Sequence, residues 1–168
     1  RTFNESTLCA GGAGPWLGHL GMVVEDKGKA FRLVQFDNGV GNIAAIDGGV
    51  LYWKTKADFV ATTDASDGDA GANGVAGGTH VVATDLNYMF VQMGGDQAAV
   101  KVAASAVLGD HLTGSATADN ELVRTAAATA PVNKLAATAL TTRGSTTSDE
   151  GASITNSSKV RWELGALL

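Results

Sequence analysis

The sequence predicts an all-β chain: an antiparallel β-barrel or β-sandwich of tulip-like shape, with an extended N-terminal arm and long Gly-rich loops. Three observations predict it. Short β-prone runs at 29–36, 50–54 and 88–93 are separated by stretches rich in Gly, Asn and Asp. Val160, Trp162 and Leu164 alternate with the charged Arg161 and Glu163, the period of a half-buried strand. Helix signals are weak; the Ala-rich run at 126–130 is short and meets Pro131.

Residues 1–21 have neither a period of two nor one of 3.6, and glycines surround Pro15, Trp16 and Leu17. Ordered glycine costs backbone entropy, and a Trp is costly to leave in water. The segment reads as an extended arm whose Pro15-Trp16-Leu17 plugs into a partner or folds onto its own domain. Residues 22–168 read as the β domain. Residues 22–25 and 29–36 form a hairpin around Asp26-Lys27-Gly28, with Phe31 and Leu33 on one face and Arg32, Val34 and Phe36 on the other. Asn38-Gly39 closes it. Strands follow at 50–54 and 59–63. Residues 64–78, rich in Asp and Gly, read as a long surface loop, and a strand resumes at 79–83.

Residues 88–103 read as a second hairpin. The run 88–93 goes out, Gly94-Gly95-Asp96 turns, and 98–103 returns, since paired glycines accept the positive φ of a tight turn. Beyond it, 106–112 is an apolar segment broken by Gly109-Asp110. Strands are predicted at 121–124 and 134–142, a Ser/Thr-rich flexible excursion at 141–158, and a closing strand at 160–164.

Composition narrows the function. The net charge of −5 and the absence of a basic run disfavour a nucleic-acid surface. One cysteine, Cys9, excludes an internal disulfide framework. No apolar run reaches the roughly 20 residues of a membrane helix. Many small residues on strands allow close approach between subunits, which points to assembly. His19, His80 and His111 lack metal-ligand spacing, and Asp110 and His111, as strand neighbours, point to opposite faces. Asp64, Asp67 and Asp69 lack the order of acids of an EF-hand loop. Tyr52, Trp53, Tyr88 and Phe90 read as core rather than as a sugar-stacking platform. No catalytic, metal or cofactor residue is therefore expected, and the chain is not expected to be an enzyme.

Between 85 and 112 the chain resembles the capsid decoration (cement) proteins of tailed bacteriophages. Asp85-Leu86-Asn87-Tyr88-Met89-Phe90-Val91-Gln92 with Gly94 is similar to the family's aromatic strand ending in Val-Gln and a glycine turn. Val100-Lys101-Val102-Ala103 is similar to its next strand, and Ala106-Val107-Leu108-Gly109-Asp110-His111-Leu112 to its Ala-Val-Gly-Asp-x-Leu element. Residues 128–139 resemble a stretch leading into an Ala-rich strand. The Gly-Pro-Trp-Leu-Gly-His arm is similar to the extended arms of such proteins in small-tailed phages of aquatic bacteria. The resemblance covers about half of the chain. It implies a β-barrel or β-tulip unit, a homotrimer, seated on the virion exterior and binding the major capsid protein, with Pro15, Trp16 and Leu17 as capsid contacts. It implies no contact with nucleic acid or membrane. The alternatives are another phage part, a head fibre base or tail adaptor, or a carbohydrate-binding β-sandwich with Tyr52 or Trp53 exposed in a groove.

Overall fold

The computed structural model describes residues 3–4, 8–9, 18–67, 74–125, 136–147 and 153–164. Among them run twelve strands: β1 (Leu8–Cys9), β2 (Val23–Asp26), β3 (Lys29–Phe36), β4 (Val50–Thr55), β5 (Val60–Thr62), β6 (Val75–Thr79), β7 (Tyr88–Lys101), β8 (His111–Gly114), β9 (Leu122–Arg124), β10 (Ala137–Ala139), β11 (Gly144–Thr147) and β12 (Ser153–Glu163). A 3-10 turn, Lys56–Asp58, joins β4 to β5. The all-β expectation holds, and the sheet closes into a barrel. β3, β5, β4, β6 and β7 pair in that order, and β7 returns to β3, so five strands form a ring. All of its pairings are antiparallel except β3 with β5. Closure leaves these strands with no free edge toward solvent along the paired length.

β7 belongs to more than one unit. From it the sheet continues through β12, β10, β8 and β9. A parallel bridge between Val102, which follows β7 directly, and Leu122 of β9 brings that path back to its start. Two cores result. Val34, Phe36, Leu51, Trp53, Ala61, Ala76, Met89 and Val91 fill the five-stranded ring, every strand contributing. Val50, Tyr52, Val100, Val102, Leu112, Leu122, Val160 and Trp162 form the second core. β4 shows why both exist. Its successive side chains point to opposite faces, so Leu51 and Trp53 enter the first core while Val50 and Tyr52 enter the second. A third cluster coats the outside of the ring, where Phe31, Leu33 and Phe90 lie under Phe3, Leu20, Met22 and Val24. The face assignment of β3 thus holds, with Phe31 and Leu33 outward and Val34 and Phe36 inward.

Buried polar groups pin the junction of the two cores. Gln92 Nε2 donates to the carbonyls of Gly94 (3.0 Å) and Asp96 (3.1 Å), which orients its amide. Its Oε1 then faces His80 Nε2 at 2.8 Å, so this imidazole carries a proton on Nε2. Gln97 repeats the arrangement: Nε2 donates to Thr79 O (2.8 Å), and Oε1 accepts from Trp162 Nε1 (2.8 Å). Asp96 joins β7 to β12 through Arg161 (2.9 Å) and Lys159 (3.3 Å), and Arg161 first, then Lys159, hold its carboxyl below the usual range against the effect of burial.

Four expectations need correction. Gly94-Gly95-Asp96 is not a turn: β7 is one 14-residue strand that passes through it. Gly94 is where pairing with β3 ends and pairing with β12 begins. The glycines serve close approach instead. A Cβ on Gly95 (φ +81°) would lie 2.5 Å from the carbonyl oxygen of Gly28, because the β2–β3 turn rests against the strand there. The 64–78 stretch is not all surface loop, since Val75–Thr79 is a fully buried strand whose glycines let β7 and Trp162 come near. Nor is 141–158 simply a flexible excursion; β11 and β12 pair there as an antiparallel hairpin. The predicted strand at 79–83 is displaced: β6 ends at Thr79, and beyond it Ala83 makes only a bridge to Ala45.

Candidate functional site

The three capsid-contact candidates Pro15, Trp16 and Leu17 lie outside the described residues. Parts of the same N-terminal segment are described, and they rest on the chain's own barrel. Phe3 meets Phe31 (centroids 5.0 Å apart) and stands edge-on to Phe90 (4.9 Å). Leu8 and Cys9 pair with Met89 and Tyr88.

The aromatic residues weighed as a sugar platform are core. Tyr52 and Phe90 are fully buried, Trp53 nearly so, and Tyr88 half-buried in the outer cluster. The Tyr52 hydroxyl donates to Glu121 O (2.6 Å), and burial pushes its pKa up. The histidines are scattered: His80 is buried at the junction, while His19 and His111 are exposed. Among the described residues no group of three or more His, Cys, Asp or Glu is placed to hold a metal ion.

The structure instead places large apolar side chains in solvent at the two ends of β7. Before the strand, Leu86 is 53% exposed and Val82 is exposed on the same loop. Leu86 adopts φ +60°, a left-handed conformation costing an L-residue roughly 1–2 kcal/mol. Its N–H donates to Phe36 O (2.9 Å), and Phe36 N–H donates to Asn87 O (2.8 Å), so the loop is held in this form by β3. Beside it lies the loop carrying Val40, which is 88% exposed; Asn38 N–H donates to Asp85 Oδ1 across the two (3.2 Å).

After the strand, Val107 and Leu108 stand in solvent, Leu108 at 65%. Asp110 accepts the Val107 N–H (2.9 Å) and pairs with Arg124 (3.1 Å). Gly109, at φ +86°, makes the turn that leaves both apolar side chains outside, and its N–H donates to Ala139 O (2.9 Å). The 14 residues of β7 run between the two tips, a contour of roughly 45 Å at about 3.3 Å per residue. Leu86, Val107 and Leu108 were ordinary apolar positions by sequence. The one signal was their place beside Asp85 and Gly109-Asp110, turn residues that keep a neighbour out of the core.

Acids from the Asp/Gly stretch hold the first tip. Asp64 Oδ2 accepts from Gly41 N–H (2.8 Å), and Asp67 Oδ2 from Val40 N–H (2.9 Å). Asp37 accepts from Gly39 N–H (2.8 Å), and Lys54 bridges Asp37 (3.0 Å) and Asp67 (3.1 Å). Asp64 and Asp67 therefore serve as loop anchors; Asp69 is outside the described residues. The Ser66 hydroxyl is the main cause holding the Asp64 carboxyl below its ordinary range. For Asp37, burial pushes up but the Gly39 N–H and Lys54 together pull down further. A depressed folded pKa contributes stability above the unfolded value, about 4, and that contribution is lost as pH falls through the folded pKa. We expect the Gly39 and Gly41 amides, held by Asp37 and Asp64, to lose hydrogen-exchange protection as pH falls from about 4 to about 2 while Val91 in β7 keeps it. Equal protection of the loop at both pH values would mean that these carboxylates do not hold it.

No family model matches this chain, and no curated protein or solved structure is significantly similar to it.

Proposed function

We propose that the chain is a structural virion protein that decorates the outside of an icosahedral phage capsid, bridging major capsid protein subunits as a homotrimer. The observation that carries this reading is the pair of apolar tips, Leu86 with Val82 at one end of β7 and Val107-Leu108 at the other. They flank the two ends of the 14-residue strand β7. Leu86, Val107 and Leu108 lie inside the 85–112 stretch that resembles decoration proteins. Two separated footholds on one stiff body suit a part that ties neighbouring subunits together. β2 pairs with β3 alone among the described strands, and its other side offers free N–H and C=O groups to a neighbouring chain. Three copies in one trimer multiply weak footholds through effective concentration. An acidic protein placed this way has no need to touch the packaged DNA.

The test is decoration of particles that lack this chain, read by cryo-electron microscopy and by co-sedimentation. Burying one Leu contributes roughly 1.5–3 kcal/mol, so Leu86→Ser with Leu108→Ser is expected to weaken attachment at least about a hundredfold. Unaltered decoration by that folded double variant would refute the footholds; no binding by the parent chain would refute the virion role. The Pro15-Trp16-Leu17 contact is tested separately by Trp16→Ala and Leu17→Ala. Deletion of the arm would also remove Phe3 from Phe31 and Phe90.

A further inference from the structure

At one mouth of the five-stranded barrel lies a recess of about 130 Å³, lined by Arg32 of β3, Trp53 of β4, Lys56, Ala76 of β6, Met93 of β7 and Leu164. Its charge is one-sided. Lys27, Lys54, Lys101, Arg124, Arg143, Lys159 and Arg161 each have an ion-pair or hydrogen-bond partner, and Lys29 has an interaction partner. Arg32 and Lys56 have no such partner among the described residues, and both face this recess. In a chain of net charge −5, two unpaired cations at one spot are not an average outcome.

Arg32 is the more constrained of the two. It lies on the inward face of β3, above Val34 and Phe36 in the same alternation. Its Nε is buried without an acceptor. The guanidinium carbon stands 5.9 Å from the centre of the Phe59 ring, a cation–π contact that fixes the group but accepts no hydrogen bond. Burial lowers its pKa, so the charged form is the one the site disfavours. A buried donor without an acceptor leaves its desolvation unrecovered.

We propose that this barrel mouth is a binding site for a small monocarboxylate with an apolar body. Arg32 would take the carboxylate through its planar fork, Lys56 would add a second positive charge from the rim, and Trp53, Met93 and Leu164 would enclose the apolar part. Barrel mouths are a recurrent ligand position, and an apolar wall with few polar groups is their usual make-up. The recess holds the liquid volume of about four waters at ~30 Å³ each, which suits a ring or a short chain and is too small for a nucleotide. Inorganic phosphate would engage the cations but leave the apolar wall uncovered, and a metal cation would be repelled. The inference does not depend on a capsid role.

The experiment titrates the full chain with sodium benzoate at constant ionic strength, following Trp53 and Met93 resonances by NMR. Benzamide serves as the neutral isostere and inorganic phosphate as the anion without an apolar body. Saturable benzoate shifts are expected, with at least about tenfold weaker binding of benzamide and of phosphate, since a charge-assisted hydrogen bond contributes ~1.5–3 kcal/mol. Arg32→Met is expected to weaken benzoate by the same factor. Lys56→Met, at an exposed position that leaves the fold untouched, is expected to weaken it several-fold. Shifts that stay linear to the solubility limit, equal binding of benzamide, or unchanged affinity in Lys56→Met would each overturn the assignment.

Discussion

Trp162→Ala is expected to lower unfolding free energy by about 3–5 kcal/mol. Trp162 is 3% exposed in the second core, where it lies between Ala137 of β10 and Gly95 of β7 in the strand register. Truncation removes the largest side chain of that cluster and leaves a void whose walls are strands tied into the sheet, so collapse is limited. It also leaves Gln97 Oε1 without the indole N–H it accepts at 2.8 Å. A buried acceptor stripped of its donor costs about 1–3 kcal/mol, which places the alanine variant at the upper end of the range. Trp162→Phe retains most of the volume and loses only the N–H, so about 1–3 kcal/mol is expected. Urea denaturation of the three proteins measures both. A Trp162→Ala loss under about 1 kcal/mol would show that β12 does not close the second core.

Gly77→Ala is expected to cost at least about 2 kcal/mol, a large effect for one methyl group. A Cβ at position 77 would lie 2.4 Å from the backbone oxygen of Gln92 and 3.2 Å from the Val91 Cβ, at a backbone φ of +153°. The obstacle is main chain in the β6–β7 pairing, and relief requires parting two strands of the closed ring. Overpacking of this kind typically costs 1–3 kcal/mol, and more where the backbone cannot shift. Gly144→Ala is the control: nothing lies within 4 Å of the added Cβ, so a change within about 0.5 kcal/mol is expected. Equal midpoints for the two variants in thermal unfolding would contradict the strand packing described above.

Much of the local structure was legible. The β2–β3 hairpin turns at Lys27 and Gly28, both at positive φ, as the Asp-Lys-Gly signal implied. β4, β9 and the Val160/Trp162 alternation fall where the apolar pattern put them. The reading failed at glycines. Gly94-Gly95 suggested reversal, and Gly77-Gly78 suggested loop, because a missing Cβ serves a positive φ and a close neighbour equally well. Only the position of Gly28 O, Gln92 O and Trp162 tells the two apart. The candidate surfaces were less legible still. Leu86 and Leu108 look like core residues by type, and Arg32 reads as one polar position on an alternating strand.

The sequence by itself determined that the described part of this chain is built of strands, where most of those strands lie, and how the residues of β3 and β12 divide between their faces. Those properties follow from a period of two, which neighbours in the chain can express. Tertiary structure alone decided that the sheet closes through β3 with β5 and β3 with β7, that β7 serves two cores, and that apolar tips are left over together with an arginine whose Nε finds no acceptor among the described residues. Pairing between distant strands depends on which surfaces fit once all are present, and no single stretch of sequence carries that information.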